Sequence, residues 1–278
     1  MRVTSLVLLI VVALPAECSR AAERAQITTR IVDAAEHQDW QLLQRRLAAG
    51  ADVELSQADG MTALHWAVLH EHQPAVEPLL AAGADPNATT RYGVTPLSIA
   101  CRAGNVHLLK RLIAAGGNAN TTLAGGETLL MIASRTGSVP TVETLIAAGA
   151  KVGTTERNGQ TALMWAAAEG HDKVIQALLA AGADRDRTLK SGFNAIRFAT
   201  REGKQAAVET LIRAGADVSE TMQKPKGGGR KPRNGTSALL LAVESGHFQL
   251  ALRLVELGAD PNDQRSGFTP LHLSLIHI

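Results

Sequence analysis

Apolar residues in this chain come in pairs that recur at a fixed step. Leu79-Leu80, Leu112-Ile113, Leu145-Ile146, Leu178-Leu179 and Leu211-Ile212 lie 33 residues apart, and Leu254-Val255 follows after 43. Three glycine series keep the same step. The first is Gly50, Gly83, Gly116, Gly149, Gly182, Gly215 and Gly258; the second is Gly60, Gly93, Gly126, Gly159, Gly192 and Gly235; the third is Gly104, Gly137, Gly170, Gly203 and Gly246. A polar residue with a short side chain follows the second series in each copy: Thr62, Thr95, Thr128, Thr161, Asn194 and Ser237, then Thr269. All seven are good helix N-caps, whose side-chain oxygen accepts from an orphan helical N–H. Pro96 and Pro270 stand one residue later, at the first helical position, where the missing N–H costs nothing. A short apolar helix is predicted after each cap, as in Ala162-Leu163-Met164-Trp165-Ala166-Ala167. The third glycine series ends it, a second helix carries the paired apolar residues, and the first series closes that helix in a left-handed cap. Asp59-Gly60, Asn158-Gly159, Ser191-Gly192, Asn234-Gly235 and Ser266-Gly267 then read as hairpin turns. The predicted unit is helix, turn, helix, hairpin finger.

On these residues the chain resembles the ankyrin-repeat family, whose unit of about 33 residues carries a Thr-Pro-Leu-His signature. Here it reads Thr62-Ala63-Leu64-His65, Thr95-Pro96-Leu97-Ser98 and Thr269-Pro270-Leu271-His272, while Met131, Met164, Arg197 and Leu240 take the histidine position in the other repeats. In the family that histidine ties neighbouring hairpins together. The resemblance implies an all-α repeat solenoid of ankyrin repeats, helix-turn-helix plus β-hairpin finger, elongated and curved. It covers roughly Ile27 to the end: a capping repeat over 27–57, repeats over about 58–90, 91–123, 124–156, 157–189 and 190–219, an insertion at 220–233, a repeat over 234–264 and a truncated one over 265–278. The first unit suits a cap, with Glu36, Gln38, Asp39, Gln41, Gln44, Arg45 and Arg46 around Leu42, Leu43 and Leu47. At the other end the sequence stops at Ile278 part-way through a first helix, so a fragment of a longer protein is expected. Leu273 to Ile278 also resembles the translated read-through of a sequencing adapter, and no function is rested on it.

Composition narrows the function classes. Aromatics make up 3% of the 278 residues, which suits many short Ala/Leu helices better than one large core. A net charge of +2 lacks the basic excess of a nucleic-acid binder, and no nucleic-acid partner is expected. Cys18 and Cys101 are too far apart to form a disulfide framework or metal spacing, and Cys101 reads as a buried small residue. Arg2 followed by the uncharged run Val3 to Ala16 reads as a secretory signal over 1–25, cut between Ala16 and Ala25. A lipid-modified Cys18 and an uncleaved anchor remain alternatives. After cleavage no membrane span is expected, and the protein is expected to be exported, periplasmic or secreted, by a bacterium.

No arrangement of residues points to catalysis, and neither metal nor cofactor is expected. Gly229 to Ser237 lacks the lysine of a phosphate loop, and His65, His70, Glu71 and His72 lack the spacing of a zinc helix. Lys224, Lys226, Arg230, Lys231 and Arg233 make the insertion basic, either a solvated loop or an electrostatic arm. Trp66, Ile99, Ile132, Trp165 and Phe198 share one column of the repeat, read as inter-repeat packing.

In the family, partners lie on the concave face formed by fingers and first-helix ends. The matching positions are Met61, Leu69, His70, Arg91, Tyr92, Val94, Arg102, Glu127, Arg135, Arg157, Asn158, Gln160, Glu169, Lys190, Phe193, Arg201 and Glu202. They vary between repeats while the packing columns repeat, and Arg91, Arg102, Arg135, Arg157 and Arg201 are read as a ladder along the face. The resemblance therefore implies a non-catalytic module, monomeric, that binds a protein partner. A regulatory arm of an enzyme encoded beyond Ile278 and a secreted effector are the alternatives.

Overall fold

A computed structural model describes residues 30–222, 235–267 and 269–270. The expected signal over 1–25, most of the 220–233 insertion and the helix expected after Thr269 lie outside the described residues. The chain divides into two compact units, Met1–Ile99 and Ala100–Ile278. Among the described residues the regular structure is helical, with fourteen short helices and no strand longer than an isolated bridge.

The first unit holds α1 (Ile31–Glu36), α2 (Trp40–Ala48), α3 (Ala63–Leu69), α4 (Gln73–Ala81) and the first turn of α5 (Pro96–Ala103). First helices pack on first helices, α1 against α3, and second helices on second, α2 against α4. Ile31, Val32, Leu43, Leu64, Val68, Val76 and Leu79 fill the space between the layers.

The second unit holds the rest of α5, then α6 (Val106–Ala114), α7 (Leu129–Thr136), α8 (Val139–Ala147), α9 (Ala162–Glu169), α10 (Asp172–Ala180), α11 (Ala195–Arg201), α12 (Gln205–Arg213), α13 (Ala238–Glu244) and α14 (Phe248–Glu256). The two-layer pattern repeats: α7, α9, α11 and α13 form one row, and α6, α8, α10 and α12 the other. The core is correspondingly regular, with Leu108, Leu112, Leu130, Leu145, Leu163, Leu178, Leu211 and Leu254 buried in turn. Cys101 is buried too, and burial pushes its thiol up to about 12.

The polar punctuation is where the sequence puts it. Thr62, Thr95, Thr128, Thr161, Asn194 and Ser237 each accept from the backbone N–H three residues on, at 3.1 to 3.4 Å. The position three beyond Thr269 lies outside the described residues. The column three residues after the cap answers back. Nδ1 of His65 accepts from the Thr62 N–H at 3.2 Å, and Oγ of Ser98 accepts from the Thr95 N–H at 3.0 Å.

The fingers are hairpins reduced to little more than their turns, with isolated antiparallel bridges at Ser56–Thr62 and Thr122–Thr128. Each is a five-residue turn closed by two N–H to O=C bonds, Gln57 to Met61 at 2.8 Å with Gly60 to Gln57 at 2.9 Å, and Thr90 to Val94 at 2.9 Å with Gly93 to Thr90 at 2.9 Å, in the first unit. In the second unit Leu123 donates to Glu127, Glu156 to Gln160 and Leu189 to Phe193 in the same way. A strand of this length has no room for a ladder. Met222, within the expected insertion, keeps the closing bond: its N–H donates to Thr236 O at 2.9 Å, and the Gly235 N–H donates to Met222 O at 2.9 Å.

In the third glycine series Gly137, Gly170 and Gly203 pack directly against a side chain of the next repeat. Gly137 has φ 77°, and a Cβ there would sit 2.6 Å from the His171 ring. In the first unit the same repeat position is held by Gln38 and Glu71, which adopt φ 59° and 52°, a conformation that costs an L-residue about 1 kcal/mol or more. Gly137→Ala and Gly116→Ala are expected to separate these effects. Both force a side chain into left-handed backbone, but Gly116 has nothing within 4 Å of its would-be Cβ. Displacing His171 costs a further hydrogen bond, about 1 kcal/mol. Thermal melts should therefore fall roughly twice as far for Gly137→Ala as for Gly116→Ala; equal falls would contradict the packing described.

Candidate protein-binding surface

The finger tips and the C-terminal ends of the first helices present side chains that differ from repeat to repeat. In the first unit Leu69 (48% exposed), Tyr92 (65%) and Arg91 are exposed, while Met61, Val94 and His70 are half-buried. Arg91 is held: its Nη2 donates to Ala58 O at 2.8 Å, its backbone N–H donates to Asp59 O, and its guanidinium lies 5.8 Å from the Tyr92 ring centre. His70 is held as well. Its Nε2 bonds Glu36 O, the last carbonyl of α1, at 3.3 Å, and its ring stacks on Trp66 at 5.7 Å. Both are among the positions expected to meet a partner; their side chains also tie one repeat to the next.

The other histidines of this region are engaged separately. His72 stacks flat on Trp40, with centres 4.0 Å apart and planes 6° from parallel. His65 is fully buried; its Nε2–H donates to Val94 O at 3.1 Å, which leaves Nδ1 as the acceptor for Thr62. No group of three His, Cys, Asp or Glu able to hold a metal occurs among the described residues.

In the second unit Arg102, Arg157, Asn158, Glu169, Lys190, Arg201 and Glu202 are exposed, and Glu127, Arg135, Gln160 and Phe193 are half-buried. Two of the arginines lie on aromatic rings. Arg135 sits 5.3 Å over Trp165, in the following repeat, and meets Glu127 at 3.3 Å. Arg201 sits 5.2 Å from Phe193 and 5.3 Å from Phe198, and its Nε donates to Glu202 at 2.9 Å. The arginine series is thus not a row of free charges. Arg135 and Arg201 are fixed on rings and paired, whereas Arg102, Arg157 and Lys190 have no acidic partner among the described residues.

The helix ends under the two stacked arginines are clamped alike. His171 Nε2 donates to Arg135 O at 3.1 Å, and His247 Nε2 donates to Arg201 O at 2.9 Å. Neither histidine was singled out from sequence. Their signal is positional, since each directly follows a third-series glycine.

Arg197, in the His65 column, is 1% exposed. Its Nη1 donates to Gly192 O at 2.8 Å and its Nη2 to Glu220 O at 3.0 Å, with the Glu220 carboxylate at 3.4 Å. Burial lowers its proton affinity, and Glu220 and Asp217 partly offset this. The arginine joins its own finger to the segment leading into the next one, the task His65 performs through Val94.

Sequence reading also missed an apolar stripe on α14, where Phe248 (44%), Leu252 (62%) and Val255 (39%) are exposed. At the Leu252 position the earlier second helices carry Gln44, Glu77, Lys110, Glu143, Gln176 and Glu209.

Family comparison settles what these repeats are. A family model of ankyrin repeats in three copies matches residues 71–156 and 130–222, and a second ankyrin-repeat model matches 239–277. The chain belongs to the ankyrin-repeat family. Ankyrin repeats generally serve as protein–protein interaction modules and are typically non-catalytic. No curated protein matches the chain. Among the described residues no helix of this ankyrin-repeat protein is long and apolar enough to cross a membrane.

His65 makes the ankyrin joint sensitive to pH. Burial depresses its proton affinity below the ordinary 6.5, and His72 is shifted the same way for the same reason. The unfolded chain then binds more protons than the folded one below that value. Stability contributed by the neutral rings is complete above it and falls as pH drops through it toward the depressed folded-state value. Melting temperature should decline from about pH 7.5 to about pH 5.5. His65→Met, which places in this column the residue found at 131 and 164, should flatten that decline without abolishing it. An unchanged decline in the variant would count against the assignment.

Proposed function

We propose that the chain is a non-catalytic scaffold that grips a protein partner through the finger tips and first-helix ends of its repeats. The observation that supports this most is the division of labour along each repeat. The paired apolar residues of the second helices recur in every repeat, while the finger and helix-end positions range over Leu69, Tyr92, Arg102, Glu169 and Lys190, all exposed. Variation at exposed finger and helix-end positions within each unit suits a binding surface on a repeating frame, because each repeat supplies the same backbone support to a different contact group. Tyr and Arg are also the residue types that most often anchor interfaces.

The test is charge reversal of Arg102, Arg135 and Arg201 together, followed by quantitative capture of partners from the source organism's own extract. Capture should fall by at least about tenfold, since the loss of a few anchors dominates interface energies. The far-UV circular dichroism and melting temperature should stay near those of the parent. Undiminished capture by a folded triple variant would remove the reading.

A further inference from the structure

The stacked arginines of the second unit specify the chemistry of a ligand. An arginine packed over an aromatic ring is restricted in position, and those of its N–H groups that are not already paired remain available to a carboxylate. Arg135 and Arg201 are both held this way, on Trp165 and on the Phe193–Phe198 pair; Nη1 of Arg135 pairs with Glu127 and Nε of Arg201 with Glu202, and 37% and 46% of their side-chain surfaces stay exposed for the remaining nitrogens. Each also stands on a helix end whose carbonyl is clamped by the next repeat's histidine. Little ordering is left to be done on binding, which is the condition for a specific contact on an exposed surface.

We propose that the second unit receives an extended acidic peptide segment, with one carboxylate on Arg135, a second on Arg201 and an apolar side chain between them. This deepens the interaction role stated above and rests on it. Arg135 and Arg201 occupy the same position two repeats apart, on α7 and α11, with α9 packed between. Helix rows spaced by roughly 8–10 Å put the two cations on the order of 20 Å apart. An extended chain covers that in about six residues at about 3.3 Å each. The intervening repeat places Ala168 at the equivalent position, beside Trp165 on α9, where a small side chain leaves room for an apolar group from the ligand.

The surrounding charge favours such a ligand. Arg102, Arg157 and Lys190 are unmatched by any acid among the described residues, whereas Glu127 and Glu202 are already occupied by Arg135 and Arg201. Discrete carboxylates suit this surface better than a phosphate backbone. Glu127, Glu169 and Glu202 interleave with the cations, and a nucleic acid, charged at every step along its length, would run over all three.

The experiment is selection of a random dodecapeptide phage library on the purified full chain, with selected peptides then synthesised and measured in solution. Enriched peptides should carry two Asp or Glu residues about six positions apart around an apolar residue. Arg135→Gln/Arg201→Gln should weaken their binding by at least about tenfold, and Arg135→Lys/Arg201→Lys should recover only a minor part, because an ammonium lacks the fork. Circular dichroism of both variants should match the parent. Enriched peptides without paired acids overturn the proposal and leave the interaction role standing, as do acidic peptides that bind the Gln variant undiminished. Displacement of the peptides by single-stranded oligothymidylate at comparable concentration overturns it in favour of a general anion surface. No enrichment at all overturns both readings.

Discussion

Every feature of this protein depends on the apolar ridge that one helical pair cannot bury by itself. A helix pair of seven and nine residues, such as Ala63–Leu69 with Gln73–Ala81, is too short to stand alone in water. It becomes stable when its Leu, Val and Ala side chains meet those of the next pair in register. Within each unit the buried residues recur at one step, so each interface presents the same problem and reaches the same solution. Stability in such a stack is close to a sum of repeat and neighbour terms. A change in the glycine turn at Gly137 therefore acts on the joint to the following repeat through His171, and so on the helix end that carries Arg135.

Close stacking in turn leaves many finger-tip positions without a structural duty. Because the ridges and caps hold the backbone, the finger tips can change from Tyr92 to Asn158 to Ser191 without altering the frame. The same frame gives long-range partners to residues far apart in sequence. Arg135 finds Trp165, and Arg253 meets Glu209 at 2.8 Å, each across a repeat boundary. Function in this chain is a property of these cross-repeat arrangements rather than of any single repeat.

Much of the fold was legible in the sequence because its signals are local. A threonine three residues before a helical N–H, or a glycine where the backbone must turn left-handed, carries its reason within a few residues. Thr128, Thr161 and Gly137 behave as their types dictate. Gln38 and Glu71 did not announce themselves, since the glycine position is filled there by residues that must be held at positive φ by their neighbours. The fingers read as hairpins from Asn-Gly and Asp-Gly, and they close as five-residue turns with at most an isolated bridge rather than an extended ladder. The site was legible as a stripe and not as an arrangement. Sequence spacing placed Arg135 and Arg201 in one column, yet their attachment to rings and the clamping of their helix ends by His171 and His247 depend on where the following repeat lies. Arg197 is the clearest case: an arginine in a buried column looked like a departure from the motif, and it performs the motif's own task with longer reach.

Hydrogen–deuterium exchange along the full chain tests the central claim most directly. Cooperative stacking in register predicts that the slowest amides recur every 33 residues in the second unit, at Ile132 to Ser134, Trp165 to Ala167 and Phe198 to Thr200, with the finger turns between them exchanging quickly. Protection confined to a single repeat, or spread without that period, would contradict the account.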